Sequence, residues 1–166
     1  MTSPRFRCAV LTVSDRASRR VYEDTSGPAL VAYIQNTLKS EVVETACIAD
    51  EEDQIVELFE RWIHHSPTID LILSTGGTGL APRDRTPEAA MRVIDRPHPG
   101  LLELARSKTA AITELAYLSR GVAGAAKSTL IITLPGSPKG AIEQIEAITP
   151  VLAHALKTLQ GDRTLH

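Results

Sequence analysis

The stretch IDLILSTGGTG, residues 69–79, delivers a short apolar run straight into a glycine-rich loop. Apolar residues that do not alternate with polar ones mark a strand buried on both faces, the kind found in parallel sheets. A strand that ends in glycines and hydroxyls rather than in a tight hairpin is one that hands over to a crossover helix. Upstream, residues 7–14 (RCAVLTVS) repeat the pattern of a doubly buried strand. Gly27 and Pro28 then open a helix whose stripe is Leu30, Val31, Ile34 and Leu38, with Pro in the first turn where its missing N–H costs nothing. Residues 41–48 (EVVETACI) form a more polar strand that belongs near a sheet edge. Asp50 starts the clearest helix, with Ile55, Leu58, Phe59, Trp62 and Ile63 at the spacing of one buried face.

Downstream of the loop, Thr86 is placed to cap a helix beginning at Pro87, and residues 97–111 read as a further helix. Residues 121–126 and 128–134 (STLIITL) read as a hairpin turning at Ala125, Ala126 and Lys127, which puts one antiparallel strand into a mostly parallel sheet. A last helix runs from about Lys139 with Ile142, Ile145, Ile148, Leu152, Leu156 and Leu159 inward and a bend expected at Pro150. The expectation is one α/β domain over residues 1–166, a mostly parallel sheet covered by helices on both faces.

Composition sets limits on function. At 166 residues, 43% hydrophobic, a single fold buries about 70% of its unfolded surface and needs neither disulfide nor structural metal. A formal charge of −2 argues against a nucleic-acid binder, and one Trp, three Tyr and two Phe leave little for base stacking. Cys8 and Cys47 sit in β-branched runs without metal-ligand spacing and read as buried core thiols in a reducing compartment. The charges at Asp15, Arg16, Arg19 and Arg20 after the first apolar run exclude a signal peptide, and no apolar stretch reaches the length of a membrane span. The cytoplasm is the expected address.

Ligands of open parallel sheets bind beyond the carboxyl ends of the strands. Thr12, Ser14 and Asp15 end the first strand, Asp50 the second, Ser74, Thr75, Gly76, Gly77, Thr78 and Gly79 the third, and Pro135, Gly136, Ser137 and Lys139 the last. Four polar segments are thus expected on one rim. The glycine loop can turn backbone N–H groups toward a phosphate, or can be a plain tight turn. Arg83, Asp84 and Arg85 place a carboxylate between two cations. They form either a solvated ion-pair cluster or a site where Asp84 holds Mg²⁺ and an arginine meets phosphate oxygens. Asp50, with Asp53 behind it, either caps its helix or faces the rim, and one carboxylate can do both. Lys139 is either a solvated cation or a phosphate ligand at a helix start. None of the five histidines pairs with a Ser or Cys in a local nucleophile motif.

These motifs carry a resemblance. TVSD (residues 12–15), STGGTG (74–79) followed by APRDRTPE (81–88), and LPGSPK (134–139) resemble the molybdopterin adenylyltransferase family, MogA in type, with its MoaB relatives and the G domain of gephyrin-like proteins. The resemblance covers nearly the whole chain. It implies a three-layer α/β/α sandwich, a homotrimer and a reaction in which the terminal phosphate of molybdopterin attacks the α-phosphate of ATP, with Mg²⁺ as cofactor. It further implies Asp50 and Asp84 as the essential aspartates and metal ligands, residues 75–79 as the phosphate and pterin loop, and Thr12, Ser14 and Pro135, Gly136 and Ser137 along the nucleotide side. A MoeA-like molybdenum insertase is the implied partner. Three positions depart from the family pattern: Ser74 where Thr is common, Arg85 where an apolar residue is common, and Arg20 where glycine is common. Arg85 is expected beside Asp84, lowering its pKa or assisting a phosphate, and Arg20 predicts a differently shaped loop.

Two other functions remain open on the sequence. One is a non-catalytic molybdopterin carrier, which would not need two metal-competent carboxylates. The other is a nucleotide-pyrophosphate hydrolase, as in competence-damage-type proteins that carry this domain within a longer chain.

Overall fold

A computed structural model describes residues 5–161. The elements run β1 (Arg7–Val13), α1 (Asp15–Ser18), α2 (Ser26–Asn36), β2 (Glu41–Ile48), α3 (Glu52–Ile63), β3 (Leu71–Thr75), α4 (Thr86–Val93), β4 (Arg96–Pro97), α5 (Pro99–Thr109), a 3₁₀ turn (Glu114–Leu118), β5 (Ala123–Ala126), β6 (Thr129–Leu134) and α6 (Pro138–Leu159). The six strands form one sheet in the order β2-β1-β3-β6-β5-β4. β2, β1, β3 and β6 pair in parallel, and β5 runs antiparallel to both of its neighbours. The mostly parallel sheet with one reversed strand is therefore the one expected.

Successive strand residues point to opposite faces, and both faces are dry. Cys8 and Val10 of β1 join Leu71, Leu73 and Ile132 in a core closed by Leu30 and Ile34 of α2, Leu102 of α5 and Ile145, Ile148 and Leu152 of α6. Ala9, Leu11 and Val13 join Ile72 and Ile131 under Ile55, Phe59 and Trp62 of α3 and Ala89 and Ala90 of α4. Phe59 and Trp62 are completely covered, and each such burial contributes roughly 2–3 kcal/mol. Among the described residues no helix is long and apolar enough to cross a membrane.

Several local expectations are corrected. Cys47 is exposed, because β2 is an outer strand with one covered side, whereas Cys8 is buried in the centre of the sheet. Asp50 does not cap the helix that follows it: α3 begins at Glu52 behind Glu51, with no side-chain cap, and its acidic first turn is Glu52 and Asp53. Thr86 lies inside α4, whose N-cap position is Arg85, with Pro87 in the first turn. Residues read as one helix from 97 divide into β4, paired to Ala125 and Gly124, and α5 beginning at Pro99. The hairpin turns at Lys127, which takes φ 54°. The expected long last helix is present as α6, with Pro150 in its interior. Arg20 takes φ 56°, the left-handed conformation glycine adopts freely, so it keeps a glycine-like backbone at a cost of about 1 kcal/mol.

Candidate active site

The carboxyl ends of β1, β3 and β6 and the start of α3 meet on one rim. Thr12, Ser14, Asp50, Thr75, Gly76, Gly77, Asp84 and Gly136 line a small polar cleft of about 200 Å³. Across the glycine loop, Thr78, Gly79, Pro135, Gly136, Ser137 and Lys139 line a second cleft of about 460 Å³. Its far wall is apolar, supplied by Ile112, Leu115 and Leu118 of the 3₁₀ turn and its lead-in. The four polar segments thus converge, and Gly136 belongs to both clefts. Ser74 lies beneath the rim, completely buried in β3, and Asp15 and Arg83 stand at the edge of the smaller cleft.

The loop is held by bonds its own residues make. Thr75 Oγ1 donates to the Pro135 carbonyl at 2.6 Å, stitching the ends of β3 and β6 together. The Gly76 amide donates to Leu134 O at 3.2 Å and is therefore not available to a ligand. The amides of Gly77, Thr78 and Gly79 donate to nothing among the described residues, which leaves three donors at the boundary of the two clefts. Gly76 and Gly77 have φ 97° and 67°. A Cβ on Gly76 would overlap the Val13 carbonyl, and one on Gly77 would overlap Thr86 Oγ1 and come within 3.2 Å of Asp50 Oδ1. Only glycine fits either place.

Asp50 and Asp15 are locked reciprocally. Asp15 N–H donates to Asp50 Oδ2 at 2.8 Å, and Asp50 N–H donates to Asp15 Oδ1 at 3.1 Å. Arg83 then grips Asp15 through Nε at 2.6 Å and Glu51 through Nη2 at 2.6 Å. The Arg83 hydrogen bond holds the Asp15 carboxyl below its ordinary range. Burial pushes Asp50 the other way; the Asp15 and Asp84 charges add to the rise, against the Asp15 amide and Arg83, which favour its ionised form. Asp84 Oδ2 accepts from Ala81 N–H at 2.9 Å. Neither neighbouring arginine pairs with Asp84: Arg85 reaches Glu52 and Glu88 instead. For Arg83 and Arg85 the ion-pair cluster is what the structure contains, and the expectation that Arg85 stands against Asp84 is corrected. Lys139 is exposed, with Nζ 3.7 Å from Glu143.

Other members of the site were not read from the sequence. Tyr22 and Ser26 line the smaller cleft. Asp24 accepts from Thr12 Oγ1 at 2.7 Å and from Gly27 N–H at 3.0 Å, tying β1 to the start of α2. An Asp three residues before a Gly-Pro helix start is a legible capping signal. Arg120 and Ser119 contact the glycine loop from behind, and a lone Ser-Arg pair carries no such signal.

No group of three or more His, Cys, Asp or Glu among the described residues could hold a metal ion by itself. Mg²⁺ does not require one, because it keeps several waters and takes one or two carboxylates together with substrate phosphates. Asp50 and Asp84 fit that donor set: both line the same cleft, each ties one oxygen to a backbone amide, and their mutual repulsion would be relieved by a cation between them.

Comparison with known proteins gives the family. The family model described as "Probable molybdopterin binding domain" matches residues 9–154. Gephyrin of Dictyostelium discoideum is 43% identical over 157 residues, covering 89% of the chain but only 21% of that much longer protein. A molybdopterin adenylyltransferase of Helicobacter pylori is 40% identical over 92% of this chain and 87% of its own length. The crystal structure of the Thermus thermophilus molybdopterin biosynthesis enzyme MoaB is 47% identical, with TM-score 0.88 over 94% of this chain and 97% of that one. With the family model spanning most of the sequence, and with relatives of the same length and fold, the chain belongs to the MogA/MoaB family of molybdopterin-binding domains, proteins of molybdenum cofactor biosynthesis.

Proposed function

We propose that the chain is an Mg²⁺-dependent molybdopterin adenylyltransferase. The observation that carries the reading is the pair Asp50 and Asp84 on one polar cleft that shares its glycine loop with a larger, apolar-walled cleft. In the reaction, a terminal phosphate oxygen of molybdopterin bonds to the α-phosphorus of ATP. The bond from that phosphorus to the bridging α–β oxygen breaks, and pyrophosphate leaves with the electron pair. Such a transfer needs charge neutralised and groups held in line rather than an activated protein nucleophile. When bound by Asp50 and Asp84, Mg²⁺ would neutralise phosphate charge. The unengaged amides of Gly77, Thr78 and Gly79 would orient phosphate oxygens. The larger cleft, with Ile112, Leu115 and Leu118 on one wall and Ser137 and Lys139 on the other, suits a flat heterocycle with a phosphate tail. A homotrimer, ATP as co-substrate and a MoeA-like insertase as recipient belong to the same proposal.

A second reading, a molybdopterin-binding protein without transferase activity, draws on the likeness to the protein named MoaB. One experiment separates the two. Pyrophosphate release from ATP is followed with molybdopterin and Mg²⁺ in wild type and in Asp84→Asn. The expected loss is at least ~100-fold, the scale of removing one preorganised electrostatic group. Equal turnover in the two proteins would remove Asp84 from the chemistry. Molybdopterin binding without ATP binding would favour the carrier.

A further inference from the structure

Arg120, between the 3₁₀ turn and β5, makes four hydrogen bonds to the loop that carries Asp84 and to its supports. Its Nε donates to the Gly79 carbonyl at 2.8 Å, Nη1 to Glu88 Oε1 at 2.6 Å, and Nη2 to the Asp84 carbonyl at 2.6 Å. Its backbone N–H donates to Thr78 O at 2.8 Å. One planar guanidinium thus satisfies three acceptors lying in three directions, a geometry that an ammonium group on a flexible stem cannot reproduce. Glu88 fixes the guanidinium from the first turn of α4, and the Arg120 hydrogen bond holds the Glu88 carboxyl below its ordinary range.

The acceptors matter more than their number. Gly79 and Asp84 are the two ends of the turn in which Asp84 N–H donates to Ala81 O at 2.9 Å and Ala81 N–H returns to Asp84 Oδ2 at 2.9 Å. The turn itself is exposed from Leu80 to Arg83, and on that side its tie to the rim is the half-exposed Arg83 side chain, which reaches Asp15 and Glu51. Arg120 pins the main chain at both ends. Ser119 Oγ also donates to Thr78 Oγ1 at 3.3 Å, so the same segment supports the wall of the larger cleft.

The geometry points to Arg120 as a positioning residue: it touches no reacting group, and it sets the place of the Asp84 carboxylate opposite Asp50 by clamping the main chain on both sides of it. The activity part of this inference rests on the transferase reading. The cation part does not.

Two measurements test it, on the full-length protein. The first is a double-mutant cycle in pyrophosphate release. Arg120→Ala in the wild-type background is expected to lower kcat by about 100-fold, the scale of a misplacement of about 1 Å at a reacting centre. In the Asp84→Asn background the same change is expected to cost less than about 3-fold, because its route of action is already gone. Full additivity of the two losses overturns the proposal. Arg120→Lys, which keeps the charge and loses the fork, covers the case in which Arg120→Ala does not fold. It is expected to lose about 10-fold with the ATP KM nearly unchanged. The second measurement titrates Mn²⁺ by electron paramagnetic resonance, without nucleotide, in wild type, Arg120→Lys and Glu88→Gln. Affinity is expected to fall at least about 5-fold in Arg120→Lys, and less in Glu88→Gln. Unchanged Mn²⁺ affinity in folded Arg120→Lys, or no Mn²⁺ binding by wild type, overturns it. If wild type releases no pyrophosphate but binds Mn²⁺, the transferase reading fails and the Mn²⁺ series alone decides the role of Arg120.

Discussion

Replacing Asp50 by Asn is expected to make the protein more stable while removing the proposed transferase activity. The amide oxygen of Asn accepts the Asp15 N–H that Asp50 Oδ2 accepts now at 2.8 Å, and the backbone bond from residue 50 to Asp15 Oδ1 at 3.1 Å does not involve the side chain. The lock between β1 and the start of α3 therefore survives. What disappears is a carboxylate whose charged form is opposed by burial first and then by Asp15 and Asp84. A carboxyl with a folded-state pKa above its unfolded one binds its proton more tightly when folded. The contribution of Asp50 to stability is then greatest below the ordinary carboxylate range and falls as pH rises through its raised pKa, opposite in sign to the contributions of Asp15 and Glu88, which the variant shares with wild type. The Asn variant lacks that fall, so the difference opens as pH rises and is complete by neutrality. Solvent at this half-open rim screens the repulsion, which places the gain at the low end of single stabilising changes, about 0.5–1 kcal/mol. For a domain of this size that is a Tm rise of about 1–4 °C. Calorimetry and urea unfolding in EDTA at pH 4 and pH 7 read it directly. Adding Mg²⁺ should stabilise wild type and not the variant, closing the gap, while turnover in the variant falls at least about 100-fold. A loss of more than about 1 kcal/mol at pH 7 in EDTA would mean that the carboxylate is structural, and the repulsion argument would be wrong.

Two further outcomes follow from the same geometry. Gly76→Ala forces a Cβ against the Val13 carbonyl at φ 97°, whereas Gly161→Ala at φ 85° meets nothing within 4 Å. The first should cost about 3 kcal/mol or more, roughly 6–12 °C in Tm, and the second only the conformational strain of about 1 kcal/mol; equal losses would show that the clash is relieved by movement of the loop. Iodoacetamide at pH 8 should label exposed Cys47 in the native protein and leave Cys8 untouched until unfolding, since Cys8 is buried and its thiol is pushed up to about 12. Mass spectrometry of partly labelled protein with both thiols modified at the same rate would contradict the placement of β1 at the sheet centre.

The parts legible in the sequence are those whose pattern is local. β1, β3 and β6 are largely apolar and do not alternate with polar residues, because strands inside the sheet are covered on both sides, and α3 declares itself through Ile55, Leu58, Phe59, Trp62 and Ile63. β4 was invisible because two residues, Arg96 and Pro97, make no pattern, and only pairing with Ala125 and Gly124 turns them into a strand. α1 is a single turn created by Ser14 accepting from Ala17 N–H. At the site, the positions of the glycines and of Asp50 are legible from where the strands end, and Asp84 stands out only through its charge cluster and the motif that carries it, whereas the partners of the charged groups are not legible. Asp50 looked like a helix cap, yet its partner is Asp15, 35 residues away. Arg83 looked like a neighbour of Asp84, yet it reaches Asp15 and Glu51, 68 and 32 residues away.

That pairing decides the electrostatic character of the rim. Arg83 is taken up by Asp15 and Glu51, Arg85 by Glu52 and Glu88, and Lys139 stands near Glu143 in the other cleft. Asp50 and Asp84 are held instead by the amides of Asp15 and Ala81, which fix their positions without cancelling their charge. The smaller cleft therefore carries two carboxylates and no side-chain cation in its lining. Such a cleft repels a free polyphosphate and favours a divalent ion, and under the proposed function a bound ion would let it accept phosphate. The unengaged amides of Gly77, Thr78 and Gly79 leave donors at the shared wall, close to the second cleft with its apolar surface of Ile112, Leu115 and Leu118. Holding a carboxylate by a backbone amide while the nearby arginines pair with other carboxylates opposes the charged form of Asp50, and the proposed cation is what would offset that opposition.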